Sequence, residues 1–386
     1  MSRVVVGGYV KASNRPCAFS HRMLGHSSVS FLRALLQLFV VVMATPCFSQ
    51  APKPRNSTQT AINSSSLLAE KIIFARPDPY LTTEIINTES GAGIAAATTP
   101  RRFGGGGDMR RRTIAVMNPD GSGITDLHVN GFSPVLSPEG THIAFCAVKD
   151  TQYSEIYVAN ADGTGSKRVT TGNKGDTCGP AWSHDGKKIA YYSFTQTDPS
   201  RNAEIWLMDA DGGNAKRVAE HASSPAWSPD DRQLAFTSSR DGKPQIYAMN
   251  ADGSNPRRLT NDKAEDSSPA WAPDGAAIAF VSDREGEHRS LFLMAPDGSQ
   301  QRRLVFSKKQ DFCFPAWSLD GGTIAFTALN RVGPQFVAVG DERPRCETWN
   351  GEYQLFSFDR EGHLRQLTDV KLMGMQPSYG RLAMAH

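Results

Sequence analysis

One phrase, written five times at nearly constant spacing, constrains this chain more than any other feature. It reads Ser-Pro-Ala-Trp-Ser-Pro-Asp-Gly and runs on into Ile-Ala-Phe. Its copies are Ser133–Phe145, Gly179–Tyr191, Ser224–Phe236, Ser268–Phe280 and Phe314–Phe326. The prolines at 134, 180, 225, 269 and 315 fall 46, 45, 44 and 46 residues apart. A degraded sixth start, Gln376-Pro377-Ser378-Tyr379, stands near the carboxy end, and a detached Lys71-Ile72-Ile73-Phe74 near the other matches the second half of the phrase. A second phrase, Ile-Tyr-x-Met-Asn-x-Asp-Gly with Arg-Leu-Thr after it, occurs six times. Its copies begin at Ile114, Ile156, Ile205, Ile246, Leu291 and Leu355 and turn at Gly121, Gly163, Gly212, Gly253, Gly298 and Gly362.

Each phrase is a short β-favouring run bounded by Pro, Asp and Gly. Asp-Gly supplies the positive φ that a tight hairpin needs. Four such strands in a unit of roughly 45 residues is the period of a propeller blade. We denote them A (Pro-Ala-Trp), B (Ile-Ala-Phe), C (Ile-Tyr-x-Met) and D (Arg-Leu-Thr). The tryptophans at 182, 227, 271 and 317 recur at one phase. Each is suited to burying ~150–250 Å² between blades, up to about 4–6 kcal/mol by area before entropy is counted. A parallel solenoid is the competing architecture, and the Asp-Gly hairpins oppose it. The expected fold is therefore all-β: a six-bladed β-propeller of four-stranded antiparallel blades. Five blades are complete. The sixth takes B, C and D from Lys71 onward and A from near Pro377, so both chain ends close the ring and no sheet edge is left open.

Residues 1–49 read as a signal peptide. Arg33 precedes an apolar run from Ala34 to Ala44, and Cys47 and Ser49 give the small-residue spacing of a cleavage site. The run is short for a bilayer span. Residues 50–66, rich in Pro, Asn, Ser, Thr and Gln, read as a flexible linker, and 67–386 as the propeller. The net charge of +3 comes from the leader, whose Arg3, Lys11, Arg15, Arg22 and Arg33 face no acid. Without those five, 37 bases meet 39 acids, a net −2. Such a balance gives no general pull toward nucleic acid or anionic membrane. The expected location is periplasmic or secreted. Cys146, Cys178, Cys313 and Cys346 follow the cleavage site, and an even number in an exported chain permits two disulfides in three pairings. Cys313–Cys346, within one blade, is the first candidate, and Cys146 with Cys178 the second. Four apolar free thiols are the alternative.

The phrases resemble the repeats of TolB-like propellers over about Lys71 to Tyr379. The resemblance implies the fold, a place in the bacterial envelope and a non-catalytic protein-binding or scaffold role with a protein partner; a monomer is expected. TolB carries a separate α/β domain before its propeller; here residues 50–70 alone separate the cleavage site from the first strand, so that domain is not expected. Similar repeats form the propeller of prolyl-oligopeptidase-type peptidases, but the chain holds no Gly-x-Ser-x-Gly elbow and no His-Glu-x-x-His.

Two places stand out for function. The B–C loops after Phe74 and after Phe326 are far longer than the others, open on one face and belong to adjacent blades, and long irregular loops in a compact repeat are functional or disordered. The first carries Arg101, Arg102, Arg110, Arg111 and Arg112 around Gly104–Gly107, a basic tip that either docks on an acidic partner or stays solvated. The second place is the set four residues before each strand-A proline: Asn130, Asp176, His221, Glu265, Asp311 and Met373. Around a channel mouth their oxygens suit a divalent cation or form a hydrated rim. No other cofactor is implied. The alternative function is a metal-assisted lyase or hydrolase on this face.

Overall fold

The computed structural model describes residues 69–77, 112–149, 151–170, 175–194, 203–286, 288–330, 352–368 and 375–382. All lie in one compact unit. The expected signal peptide and linker fall outside the described residues, as do the central parts of the two long loops. The described residues contain no helix and form six four-stranded sheets, each with strand order A-B-C-D. Blade I comprises Phe132–Leu136, His142–Ala147, Glu155–Asn160 and Lys167–Arg168. Blade II comprises Asp176–Trp182, Lys188–Phe194, Glu204–Asp209 and Lys216–Glu220. Blade III comprises Ala222–Trp227, Gln233–Ser238, Gln245–Asn250 and Arg257–Arg258. Blade IV comprises Asp266–Trp271, Ile278–Ser282, Ser290–Met294 and Arg302–Val305. Blade V comprises Gln310–Trp317, Thr323–Asn330, Glu352–Asp359 and Leu364–Gln366.

Blade VI is the split one. Its strand A, Met375–Leu382, pairs antiparallel with strand B, Ala69–Pro77, placing Ile72 opposite Tyr379. Strands C (Arg112–Met117) and D (Thr125–Asn130) complete it. The two ends of the propeller thus form one sheet, as the repeat phase requires.

Strands B and C are buried on both faces, so successive side chains serve different neighbours. In blade VI, Ile73, Ile114 and Val116 join Ile143, Phe145 and Tyr157 of blade I. The alternate residues Ile72, Phe74, Ala115 and Met117 join Ala325, Leu355 and Leu367 of blade V. The same division holds at the III/IV and IV/V junctions, and one larger cluster spans blades I to III. The core is therefore a ring of inter-blade cores. The Arg-Leu-Thr phrase gains a specific role: the hydroxyls of Thr170, Thr260 and Thr368 each accept the strand-C N–H of Ile156, Ile246 or Leu355 at 2.9 Å. The tryptophans bridge blades as well. The indole N–H of Trp227 donates to the Ala181 carbonyl at 3.0 Å, and that of Trp317 to Ala270 at 3.1 Å.

Every strand A carries a bulge, with a register break against strand B in all six blades. The residue before the proline is left-handed each time: Ser133, Gly179, Ser224, Ser268, Phe314 and Gln376 have φ between 49° and 59°. Five of the six are not glycine, so the strain is held by surroundings. Ser268 donates its N–H to Thr237 of blade III and Gln376 donates to Thr327 of blade V, both at 3.1 Å. Ser133 donates to the Gln376 side chain at 2.8 Å.

The Asp-Gly turns between strands C and D have two reasons for glycine. Gly121, Gly163, Gly212, Gly253 and Gly298 have φ of 88–94°. A Cβ at each would also lie 2.4–2.8 Å from a carbonyl in, or directly after, strand D of the preceding blade. At Gly362 the φ is the same, 93°, but nothing lies within 4 Å. Gly212→Ala should therefore cost well over the ~1–2 kcal/mol of a left-handed residue alone, because the Val169 carbonyl must move. Gly362→Ala should cost only that ~1–2 kcal/mol. Denaturant unfolding of both variants checks the contrast; equal losses would show that the inter-blade approach does not matter. Removing residues 375–386 should lower the melting temperature sharply or cause aggregation, because strand B of blade VI becomes an open edge. A monomeric truncation of unchanged stability would show that the pairing of the ends is dispensable.

Candidate functional site

The face carrying the B–C loops and D–A links is built on a repeated backbone clamp. The N–H of the residue three before the strand-A proline donates to the carbonyl of the residue leading into strand C of the preceding blade. The pairs are Gly131 to Arg112, Thr177 to Ser154, Ala222 to Ala203, Asp266 to Pro244 and Phe312 to Arg289, at 2.8–3.0 Å. Five junctions share this bond among the described residues.

The six positions expected at a channel mouth, five of them polar, differ in burial and in partners. Asp176 is fully buried and accepts the Ser154 N–H at 2.7 Å and its hydroxyl at 3.2 Å. Asp311 is buried and accepts the Arg289 N–H at 2.8 Å, with His288 Nδ1 at 3.5 Å. Both carboxylates reinforce the backbone clamp. Glu265 is half-buried and pairs with the Arg289 guanidinium at 3.3 Å. Asn130 and His221 are exposed, His221 with a φ of 51°. Met373 lies outside the described residues.

Burial also reaches neighbouring acids. Desolvation pushes the Glu155 carboxyl up, opposed chiefly by the Thr170 hydroxyl. Asp266 is likewise raised by burial, opposed by Ser282 and by Arg284, whose guanidinium lies at 2.8 Å. Arg284 also pairs with Asp262 at 2.9 Å and covers the rings of Phe280 and Phe292 at 5.2 and 4.9 Å. Arg240 covers Phe236 and Tyr247, and Lys149 covers Phe145 and Tyr157, in the same way. These three cations, each four residues after the strand-B phenylalanine, cap the aromatic pair of their blade. The signal was present in the Ser-x-Arg of Ser238–Arg240 and Ser282–Arg284, and the repeat reading passed over it.

Of the five arginines assigned to the basic arm, Arg101, Arg102, Arg110 and Arg111 lie outside the described residues. Arg112 is corrected. It opens strand C of blade VI, is buried, and sets its guanidinium 5.8 Å over the Tyr353 ring of blade V. Burial lowers its pKa from the ordinary value, with Tyr353 working the other way. The physical reason is register: Arg112 holds the clamp position that Ser154 and Arg289 hold elsewhere. Its neighbour matters for function, because Arg112 and Tyr353 are the landing points of the two long B–C loops. Both insertions thus return to the propeller at one spot between blades V and VI.

Cys313 is disulfide-bonded, while Cys146 and Cys178 are free and buried. Cys346 lies outside the described residues. The second expected pair is therefore two free thiols, although they are neighbours across the I/II junction. One trio among the described residues, Asp359, Glu361 and His363, brings ligand atoms within 4.8 Å of one another. It sits on the exposed C–D turn of blade V, at the opposite end, and His363 already donates to Asp359 through its main chain and is paired to it through its ring. Three open clefts at blade junctions have volumes of about 410, 530 and 580 Å³. In the first, Arg217 is neutralised by Glu204 and Glu220 at 2.6 and 2.8 Å.

Arg112→Gln should destabilise the chain by about 1–3 kcal/mol, the range for losing a packed, charged partner. Thermal unfolding measures it. A loss below about 0.5 kcal/mol, the range of free surface changes, would return Arg112 to the solvated arm.

Comparison with known proteins agrees with this architecture. The model of the TolB beta propeller domain matches residues 177–343. A TolB homolog of Chlorobaculum tepidum is 33% identical over 31% of the chain, and the Tol-Pal system protein TolB of Desulfosudis oleivorans is 33% identical over 31%. These matches span 27% and 26% of the two relatives, so the chain matches about a quarter of their length. Among solved structures, TolB from Acinetobacter baumannii superposes with a TM-score of 0.58 at 19% identity, over 81% of this chain and 67% of that one. At that identity the likeness speaks for the fold. Among the described residues no helix is long and apolar enough to cross a membrane. By its repeated phrases, its six blades and the family model it matches, the described unit is a TolB-like β-propeller.

Proposed function

We propose that this chain is an exported, non-catalytic protein-binding propeller of the bacterial envelope, acting as a scaffold in the periplasm or outside the cell. The observation that carries the reading is the convergence of two long B–C insertions, residues 78–111 and 331–351, on the Arg112–Tyr353 contact of adjacent blades. The ring beneath them is rigidly clamped, and variable loops on a rigid scaffold are where binding residues concentrate. The amino-terminal leader supports export, and the curated relatives named as Tol-Pal proteins support an envelope partner. The arginines at 101, 102, 110 and 111 then supply rim charge toward an acidic protein surface, and such charge sets association rate more than affinity. A channel-held divalent cation remains a separate proposal for the same face, to be read as bound metal after dialysis.

The test uses the mature chain and a version with residues 331–351 replaced by a short Gly-Ser turn. Envelope extract should yield a protein partner that the full chain retains and the variant loses, while both stay folded and monomeric. Replacing the four loop arginines with Gln should slow association and flatten its salt dependence. A partner held equally by both chains would remove the insertions from the binding face. Turnover of a substrate by the purified chain would overturn the non-catalytic reading.

A further inference from the structure

Two residues after the end of strand A, three of the five complete blades carry a proline: Pro138, Pro229 and Pro273. Blade II has His184 there and blade V has Leu319. Proline has no N–H, so these two exceptions each bring a donor to the A–B turn. Both donors are taken by a carboxylate of the next blade. His184 donates its N–H to Asp231 Oδ1 at 2.7 Å, and Asp185 donates to Oδ2 at 2.9 Å. Leu319 donates to Glu70 Oε1 at 2.7 Å. Asp231 stands where the A–B turns of blades I, II, IV and V carry Gly140, Gly186, Gly275 and Gly321, and it is left-handed, with a φ of 57°. Where proline is kept at III/IV and IV/V, glycine faces it. A Cβ on Gly275 would lie 3.9 Å from the Pro229 ring, and one on Gly321 would lie 3.5 Å from that of Pro273.

The loss of proline and the gain of a facing carboxylate thus occur at the same junction, and they do so twice, from different elements: a turn in blade III and strand B in blade VI. The His184 ring also meets Asp231, at 2.9 Å, but it is half exposed, and such a surface pair contributes little. The main-chain N–H groups on a charged acceptor are the stronger bonds. We propose that these contacts are docking keys that fix which blades meet, in a chain whose repeats are otherwise alike enough to dock out of order. Blade II set against the turn of blade IV or V would leave the His184 and Asp185 N–H groups facing a glycine. A proline of blade I or IV set against blade III would face the Asp231 carboxylate, which it cannot satisfy. Each error forfeits a bond that the right neighbour supplies. In the closed ring II/III and V/VI are opposite junctions, so each three-blade half carries one key at either end.

The experiment is a double-mutant cycle on the full chain with His184→Pro, Asp231→Gly and both together. Asp231→Gly relieves a left-handed residue, yet it should lower the melting temperature by at least about 2 °C, because two N–H groups lose their acceptor. His184→Pro should also lower it. The double variant restores the proline–glycine contact of III/IV and IV/V and should recover most of both losses. Simple addition of the two losses, or no loss from Asp231→Gly, would overturn the key. Glu70→Ala should likewise cost less in a Leu319→Pro chain than in the wild type. Refolding from denaturant then separates a key from a mere bond. The double variant, stable but no longer keyed at II/III, should yield less monomer than the wild type; an equal yield would overturn the ordering role. Native-state hydrogen exchange needs no variant. The His184, Asp185 and Leu319 amides should be protected although they sit in turns, and exchange at the rate of an open peptide would overturn the proposal.

Discussion

Each blade has two apolar faces and no means of covering either alone. That single constraint accounts for most of what the structure does. Ile73 and Ile72 are adjacent in sequence, yet one packs into blade I and the other into blade V. A strand buried on both sides can satisfy this only between two neighbours, and a linear stack would leave two faces bare. Closing the ring removes the bare faces, and pairing Ala69–Pro77 with Met375–Leu382 makes the closure part of a sheet. The stability of any one junction thus depends on the chain ends meeting, far from most of the core they protect.

The innermost strands show how the ring holds geometry that no blade would hold by itself. A left-handed residue directly before proline is unfavourable, by about 1–3 kcal/mol for a residue with a side chain. Here it recurs at Ser133, Ser224, Ser268, Phe314 and Gln376. The N–H groups freed by the bulges at Ser268 and Gln376 are taken by threonines of the preceding blade. At Ser133 the acceptor is the side chain of Gln376, which is itself a bulge residue. Local strain is offset by contacts across junctions, so folding of one blade and docking on the next belong to one step.

Much of this was legible in the sequence, and the reason is periodicity. The proline spacing fixed the number of blades, the Asp-Gly turns fixed hairpins, and the detached Lys71-Ile72-Ile73-Phe74 pointed to the split blade. What was not legible depended on the neighbour in space. Asp176 and Asp311 read as polar rim residues because their side chains are charged; their burial follows from main-chain N–H groups of another blade, which no residue type announces. Arg112 read as part of a basic run because Arg110 and Arg111 precede it. Its role follows from the clamp register, and the phase of strand C at Ile114 would have revealed it had the other blades been aligned one position further back. Cys146 and Cys178 read either as a disulfide pair or as apolar free thiols, and the residue types alone do not choose between the two; in the structure both are free and buried.

The candidate binding face then follows from where the ring tolerates length. Between strands B and C of blades III and IV the chain turns within residues 239–244 and 283–289, under the capping Arg240 and Arg284. In blades V and VI the position four residues after the strand-B phenylalanine holds Asn330 and Asp78 instead. Neither carries the cation that would lie over the blade's aromatic pair. In these two blades the B–C connection is long, and its far end is fastened by a different contact, Arg112 on Tyr353; blade II, with Thr195 at the same position, keeps the shorter connection 195–203. The short loops of blades III and IV are spent on their own rings, whereas those of blades V and VI extend beyond them. The two insertions therefore stand on adjacent blades and share one anchor, which the ring itself holds through the Gly131 N–H on the Arg112 carbonyl.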